Sequence, residues 1–448
     1  MRILHYALGF PPYRSGGLTK LCVDLMAQQV RQGHTVAMLW PGQMGFFGKK
    51  TRIRDHGMTA ALEQRVRSFE IVNPLPVPLN EGIADIAAFT RDGGKAAYDA
   101  FLDRFRPEVV HVHTLMGLHK SFLCAARERG VRLVFTTHDF FPICPKVTLF
   151  RQGAGCTQVQ SCQQCGTCNA TALSVNKIRV LQSPLYRALK DSALVKKLRK
   201  RHRDGYFADA EETPAEPVGS AQDYRRLRAF YGAMLAEMDE IHYNSSVTKA
   251  VYESVFSMPQ GHIVSISHGD IADHREKRKF SGDLLRIRYL GPQSGAKGYF
   301  ILKEALDQWW EKRQDFRLDV HFTPAEPAPY IVSHDRYGYG DLKGIFSETD
   351  VLVAPSVWHE TFGFTVLEAL SYGIPVVISG TVGAKDILAP GAGIVVENMT
   401  AEKLCAAFAG LTAQRLGEMN AVIREKQHIM TLAEMAERIE RLCYGKTK

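Results

Sequence analysis

The sequence predicts an α/β protein made of two doubly wound parallel-sheet domains. Three observations carry this. Short β-branched runs alternate with helical stretches along most of the chain, the pattern of strands joined by crossover helices. The 448 residues exceed what one hydrophobic core usually serves. The stretch Asp350 to Ser379, DVLVAPSVWHETFGFTVLEALSYGIPVVIS, reads as strand, loop, helix, turn and strand, one complete βαβ unit.

In chain order, Arg2 to Leu8 is expected as the first strand and Leu18 to Arg31 as the first helix, with Leu21, Leu25, Met26 and Val30 near helical spacing. Between them FPPYRSGG puts Gly16 and Gly17 where backbone can approach a phosphate at a helix start, or where the chain simply turns; it is not the dinucleotide G-x-G-x-x-G fingerprint. Gln43 to Glu70 gives no clear pattern. Pro107 to His113 reads as a buried strand, Gly117 to Arg129 as a helix, and Val131 to Thr137 as a strand ending at His138-Asp139. An imidazole at the carboxyl end of a strand stands where open α/β sheets bind ligands, and there it can donate to a hydroxyl or a phosphate. A helix over Tyr224 to Asp239 and strands over Glu240 to Ser245 and His262 to Gly269 finish the first domain, residues 1–270, and residues 271–281 read as a linker.

Five cysteines, Cys144, Cys156, Cys162, Cys165 and Cys168, fall within 25 residues, and the other four are scattered. No apolar run approaches the roughly 18 residues that span a bilayer, and MRILHYAL leads directly into a strand without a signal-peptide cleavage site. A cytoplasmic protein is therefore expected, in which clustered thiols point to a structural metal rather than disulfides. Zinc fits four thiolates of this kind. The run C-x2-C-x2-C leaves an iron-sulfur cluster as an alternative, although no C-x3-C-P completes the bacterial pattern.

The net charge of +9 arises from 56 basic and 47 acidic residues. Much of it is local: Arg187 to Arg203 has eight Lys or Arg against Asp191 alone, and an acidic, Pro-containing stretch follows within an insertion at 187–220. Such a patch suits anionic lipid headgroups, phosphorylated acceptors or nucleic acid, or is a solvated surface. Without an aromatic-basic pattern it does not read as a nucleic-acid site.

The second domain, residues 282–430, begins with a strand over Leu285 to Gly291, followed by PQSGAKGYFIL; Arg317 to Thr323 is its next strand. In the βαβ unit Glu360, Phe362, Gly363 and Phe364 occupy the loop before the helix, and Glu368 lies within it. Thr365 with Glu368 also fits an ordinary capping box. Gly383 to Leu388 and Ala392 to Glu397 continue the alternation, and 431–448 is a helical tail.

E-x-F-G-F-x-x-x-E-A, following D-V-x-V-x-P-S and preceding G-x-P-V-V, resembles the E-x7-E signature of retaining GT-B glycosyltransferases of the family 4 type. The resemblance implies two Rossmann-like domains facing a cleft, with the C-terminal helix of 431–448 packed back on the first domain, a nucleotide-diphosphate sugar held mainly by the second and a glycan or lipid-linked acceptor by the first. Carried over by position, Glu360 contacts the donor sugar and Glu368 the ribose, while Phe362, Gly363 and Phe364 belong to the donor loop. T-x-H-D makes His138 the residue that touches the transferred sugar, and Gly16, Gly17 and Lys297 (with Gly298) are donor-diphosphate positions. A subset of these enzymes shows H-D-x-x-x-x-C-P, a spaced Cys and C-x2-C, which selects Cys144, Cys156, Cys165 and Cys168 as zinc ligands. The usual Arg of a Gly-Arg pair is replaced by Pro292, with Arg286 and Arg288 as nearby substitutes. No D-x-D occurs, so no catalytic divalent metal is expected; Lys297 and helix-start amides are left to stabilise the leaving charge. The expected activity is sugar transfer in surface-polysaccharide synthesis at the inner face of a membrane. Pro292 keeps a second reading open, a catalytically silent scaffold in a polysaccharide-assembly complex.

Overall fold

The apolar runs assemble into two mainly parallel sheets. The computed structural model describes residues 1–11, 13–45, 50–59, 66–190, 192, 195 and 216–445. The first sheet contains β1 (Arg2–Tyr6), β2 (Thr35–Pro41), β3 (Arg52–Met58), β4 (Arg67–Val72), β5 (Val109–Val112) and β6 (Arg132–Thr136). A small hairpin of β7 (Phe150–Arg151) and β8 (Ala154–Gly155) interrupts it before β9 (Glu240–Tyr243) and β10 (Gly261–Ile263), giving the order β10-β9-β6-β5-β1-β2-β4-β3. The second sheet holds β11 (Leu285–Tyr289), β12 (Phe316–Val320), β13 (Ile331–Ser333), β14 (Val351–Ala354), β15 (Val376–Ser379) and β16 (Gly393–Val396) in the order β13-β12-β11-β14-β15-β16. That is the doubly wound order 3-2-1-4-5-6, whose direction reverses between β11 and β14 and opens a crevice at their carboxyl ends.

The central strands are near-continuous apolar runs because helices cover both faces. Helix Gly17–Arg31 lays Leu21, Leu25 and Met26 inward, and each such side chain contributes about 1.5–3 kcal/mol when fully buried. The C-terminal helix Leu432–Leu442 packs against that first helix, with Met435, Ala436 and Ile439 in the same buried cluster as Leu21 and Leu25. The last turns of the chain therefore complete the core beneath β1.

The patternless stretch before Glu70 contains two strands. β3 pairs antiparallel with β4 at the edge of the sheet, and its alternating exposed and half-buried residues (RIRDHGM) left no apolar run to recognise. The strand expected over His262 to Gly269 ends at Ile263. Val264 still donates to the Tyr243 carbonyl, but its own carbonyl accepts from the His242 ring, so a side chain replaces the ladder. Gly383–Ile387 forms a 3-10 turn. Most of the basic run and the acidic stretch after it lie outside the described residues.

Candidate active site

At the crevice between β11 and β14 lies a cavity of about 170 Å³ walled by Tyr289, Leu290, Gly291, Pro292, Lys297, Val353, Ala354, Ser356, Glu360, Gly363, Phe364, Thr365 and Val382. Two glycines shape it. Gly298 starts helix Tyr299–Trp310 at φ 75°, and a Cβ there would stand 1.9 Å from the Pro355 carbonyl oxygen, so only glycine lets the two loops meet. Gly363 starts helix Phe364–Ser371 at φ 102°, which leaves the first helical amides open toward the cavity.

Inside, Lys297 forms an ion pair with Glu360, which also accepts from Trp358 Nε1 at 2.9 Å and Ser356 Oγ at 3.4 Å. Burial raises the Glu360 pKa, but the Lys297 charge and the hydrogen bonds from Lys297, Trp358 and Ser356 outweigh it and hold the carboxyl below its ordinary value. Trp358 lies under the ammonium, 4.8 Å from it. Nothing in the sequence marked Trp358 or Ser356 as partners of Glu360.

Glu368 caps nothing: the helix N-cap is Gly363, without a side-chain cap, so the capping-box reading is corrected. Instead Glu368, 4% exposed, meets His268 Nε2 at 3.2 Å. His268 comes from the first domain, 100 residues away, and no local pattern could have paired them. Phe364 packs over Gly17, where a Cβ would sit 3.4 Å from its ring, and edge-on to His268 at 5.1 Å. Gly16 takes φ 102° at the start of helix Gly17–Arg31. Gly16, Gly17, Phe364 and Glu368 are thus brought to one seam between the domains. Phe362 is not among the cavity walls; 2% exposed, it borders a second cavity of about 210 Å³ with Ile266, Leu367 and Ile387.

His138 lies two residues beyond the end of β6. Its Nε2 lies 2.9 Å from His113 Nδ1, and Asn244 Nδ2 is 3.4 Å from its Nδ1. Burial pushes its pKa down to about 3, so the ring is neutral. Ser245, beside Asn244, donates to the Thr361 carbonyl at 2.8 Å, which ties the His138 side to the Glu360 loop.

Two family models match. Residues 15–157 match Glycosyltransferase Family 4 and residues 331–428 match Glycosyl transferases group 1. The chain belongs to the GT-B glycosyltransferases. No curated protein matches this glycosyltransferase by sequence. Its fold is similar to that of the apo lipopolysaccharide outer core galactosyltransferase WaaB (12% identity, 100% of each chain, TM-score 0.58). It is also similar to the sucrose-phosphate synthase of Thermosynechococcus elongatus (13% identity, 98% of each chain, TM-score 0.54) and to Anabaena HepE in complex with UDP and glucose (12% identity, 98% of each chain, TM-score 0.52).

In this glycosyltransferase neither Arg286 nor Arg288 replaces the missing Arg. Arg286 makes a paired contact with Asp350 (2.7 and 3.1 Å), and Arg288, 2% exposed, donates to Thr349 Oγ1 at 3.2 Å. Neither lines the cavity. Pro292 does, and its carbonyl is held by the buried Tyr289 hydroxyl at 2.8 Å.

The Cys-rich loop packs on helix Ala221–Leu235, whose Arg228 donates to the Ile143 and Val159 carbonyls and, at 2.9 Å, to Cys162 Sγ. A hydrogen bond from Cys165 and this guanidinium lower the Cys162 pKa, while Cys165 is pushed up as the donor of that bond. Cys144 is close enough to Cys156 and Cys165 for their charges to act on one another. Among the described residues, groups of three ligand atoms within 4.8 Å of one another occur at His5, His111 and His113 and at Asp24, His268 and Asp270.

Proposed function

We propose that the chain is a retaining glycosyltransferase that moves a sugar from a nucleotide-diphosphate sugar to a glycan or lipid-linked oligosaccharide, in surface-polysaccharide synthesis. The observation that carries this is the Lys297–Glu360 pair, poised in a cavity at the switch point beside the open helix start at Gly363. Lys297 and those amides suit a diphosphate, Glu360 suits sugar hydroxyls, Glu368 suits a ribose, and His138 faces the transferred sugar. HepE holds UDP and glucose, which supports a nucleotide-sugar donor, and WaaB acts on lipopolysaccharide, which supports a glycolipid acceptor.

Calorimetric titration of UDP, GDP, ADP and CDP into wild type and Glu368→Ala tests this. One nucleotide should bind and its binding should weaken in the variant. If none binds to folded protein, the scaffold reading takes over. Pro292 at the cavity, with Arg286 and Arg288 engaged elsewhere, is the observation that favours that second reading.

Two further parts belong to the proposal. Zinc on Cys144, Cys156, Cys165 and Cys168 pins the loop after His138. An all-thiol donor set suits zinc, and Arg228 on the Cys162 sulfur leaves that cysteine as the spare one. Stoichiometric zinc by elemental analysis is expected; protein with intact thiols and neither zinc nor iron overturns it. The basic segment holds the protein on an anionic membrane, and no described helix is long and apolar enough to cross one. Retention on anionic vesicles should vanish when Lys196 to Arg203 is neutralised.

A further inference from the structure

Nine residues form one hydrogen-bonded chain from the Val264 backbone to His138. His242 Nε2 is 2.7 Å from the Val264 carbonyl, and its Nδ1 is 2.9 Å from Thr136 Oγ1. Thr136 Oγ1 is 2.5 Å from His111 Nε2, and His111 Nδ1 is 2.7 Å from the Tyr444 hydroxyl. Gln29 bridges next, with Nε2 3.1 Å from Tyr444 and Oε1 2.7 Å from His5 Nε2. His5 Nδ1 then meets His113 Nε2 at 2.9 Å, and His113 Nδ1 meets His138 Nε2 at 2.9 Å. His5, His111, Thr136 and His242 stand on β1, β5, β6 and β9, His113 and His138 just beyond β5 and β6, Gln29 on the first helix, and Tyr444 in the C-terminal tail.

Every hydrogen bond in this chain has a determined direction. A carbonyl only accepts, a hydroxyl donates one proton, and a neutral imidazole carries one N–H. The imidazoles are neutral: burial pushes His5 and His242 down to about 4 and His138 to about 3, and burial with neighbouring imidazoles pushes His111 and His113 lower. His242 therefore donates from Nε2 to Val264 and accepts at Nδ1 from Thr136. Thr136 accepts from His111 Nε2, so His111 Nδ1 accepts from Tyr444, and Tyr444 accepts from the Gln29 amide. The Gln29 oxygen accepts from His5, His5 accepts from His113, and His113 accepts from His138 Nε2. His138 is left with a bare Nδ1. The Asn244 amide agrees independently, because it presents its Nδ2 donor to that nitrogen at a long 3.4 Å while its Oδ1 is buried without a hydrogen-bond partner. His5, His111 and His113 stand close enough to bind a metal ion, yet all six of their ring nitrogens are committed within the chain.

We propose that this chain presents His138 to the cleft as a hydrogen-bond acceptor at Nδ1, matched to a sugar hydroxyl rather than a phosphate, and that Tyr444 is the positioning residue that completes it. The ligand half rests on the assignment of His138 to the transferred sugar; the tautomer half does not. A hydroxyl entering the cleft takes the place of the Asn244 donor. Without the Tyr444 hydroxyl, Gln29 is free to turn its amide over, and the polarity of the His5–His113–His138 arm is no longer set.

The test is the ring tautomer of His138 in ¹⁵N-histidine-labelled full-length protein, assigned with His138→Gln. Wild type should show protonated Nε2 and bare Nδ1. Tyr444→Phe should introduce an Nδ1–H population absent from wild type and lower kcat, with nucleotide affinity unchanged. Thr136→Val interrupts the chain at a second place and should shift the same signal, so it decides the matter if Tyr444→Phe does not fold. A wild-type His138 protonated at Nδ1, or folded variants that both keep the wild-type tautomer, overturns the proposal. Loss of all nucleotide binding in wild type would sink the transferase reading and leave the tautomer result standing.

Discussion

The ammonium of Lys297 and the carboxylate of Glu360 are ion-paired in the cavity at the ends of β11 and β14, so the group proposed for the donor diphosphate and the group proposed for the sugar lie against each other. Lys297→Ala should lower nucleotide-diphosphate affinity about tenfold or more, or ~1.4 kcal/mol, the scale of one charge-assisted contact. It also removes the charge that depresses Glu360. The Glu360 pKa then rises, so the acid limb of the pH–rate profile should move to higher pH. An unmoved limb in an active Lys297→Ala protein would show that Glu360 does not govern it.

Gly298 has no room for a side chain. Gly298→Ala needs a non-glycine residue at φ 75° and must push the Pro355 carbonyl away, at a cost of at least about 1–3 kcal/mol. Chemical denaturation should show that loss, and calorimetry should show weaker nucleotide binding, because Lys297 is the preceding residue.

Arg228 bridges two carbonyls and a sulfur of the Cys-rich loop. Arg228→Met should cost about 1–3 kcal/mol for the buried acceptors it abandons, with faster proteolysis within 144–168. The Cys162 pKa should rise, since a cation that favours the thiolate is gone, and thiol alkylation near neutral pH should slow correspondingly.

The buried histidine chain predicts acid sensitivity. Groups whose ordinary value is 6.5 are held at about 4 (His5, His242) or about 3 (His138) by burial. Below pH 6.5 the unfolded chain binds protons that the native protein refuses, so stability is complete above that pH and is lost as pH falls toward the native values. Within the window each such group costs about 1.4 kcal/mol per pH unit. Thermal midpoints should fall steeply between pH 6 and 4, and His5→Gln or His242→Gln should flatten the slope; an equal slope in both variants would refute this origin.

The sequence by itself determined the alternation of strands and helices, and through the βαβ unit at Asp350 to Ser379 it located the cavity, because glycines at helix starts and apolar runs of strand length are local demands of the backbone. Gly16 and Gly363 were legible for that reason, whereas Lys297 and Glu360 were singled out only by the resemblance of their motifs to the glycosyltransferases. The edge strand β3 was not, since an exposed edge needs no apolar signature. Tertiary structure alone decided the partners: Glu368 with His268 across the domain seam, Arg286 and Arg288 engaged away from the cavity, Phe362 facing a different cavity, and Tyr444 reaching back 333 residues to His111. Such contacts join residues 100 or more positions apart, or depend on which way a side chain leaves its strand. They follow from the packing of finished elements, which the order of residues does not spell out.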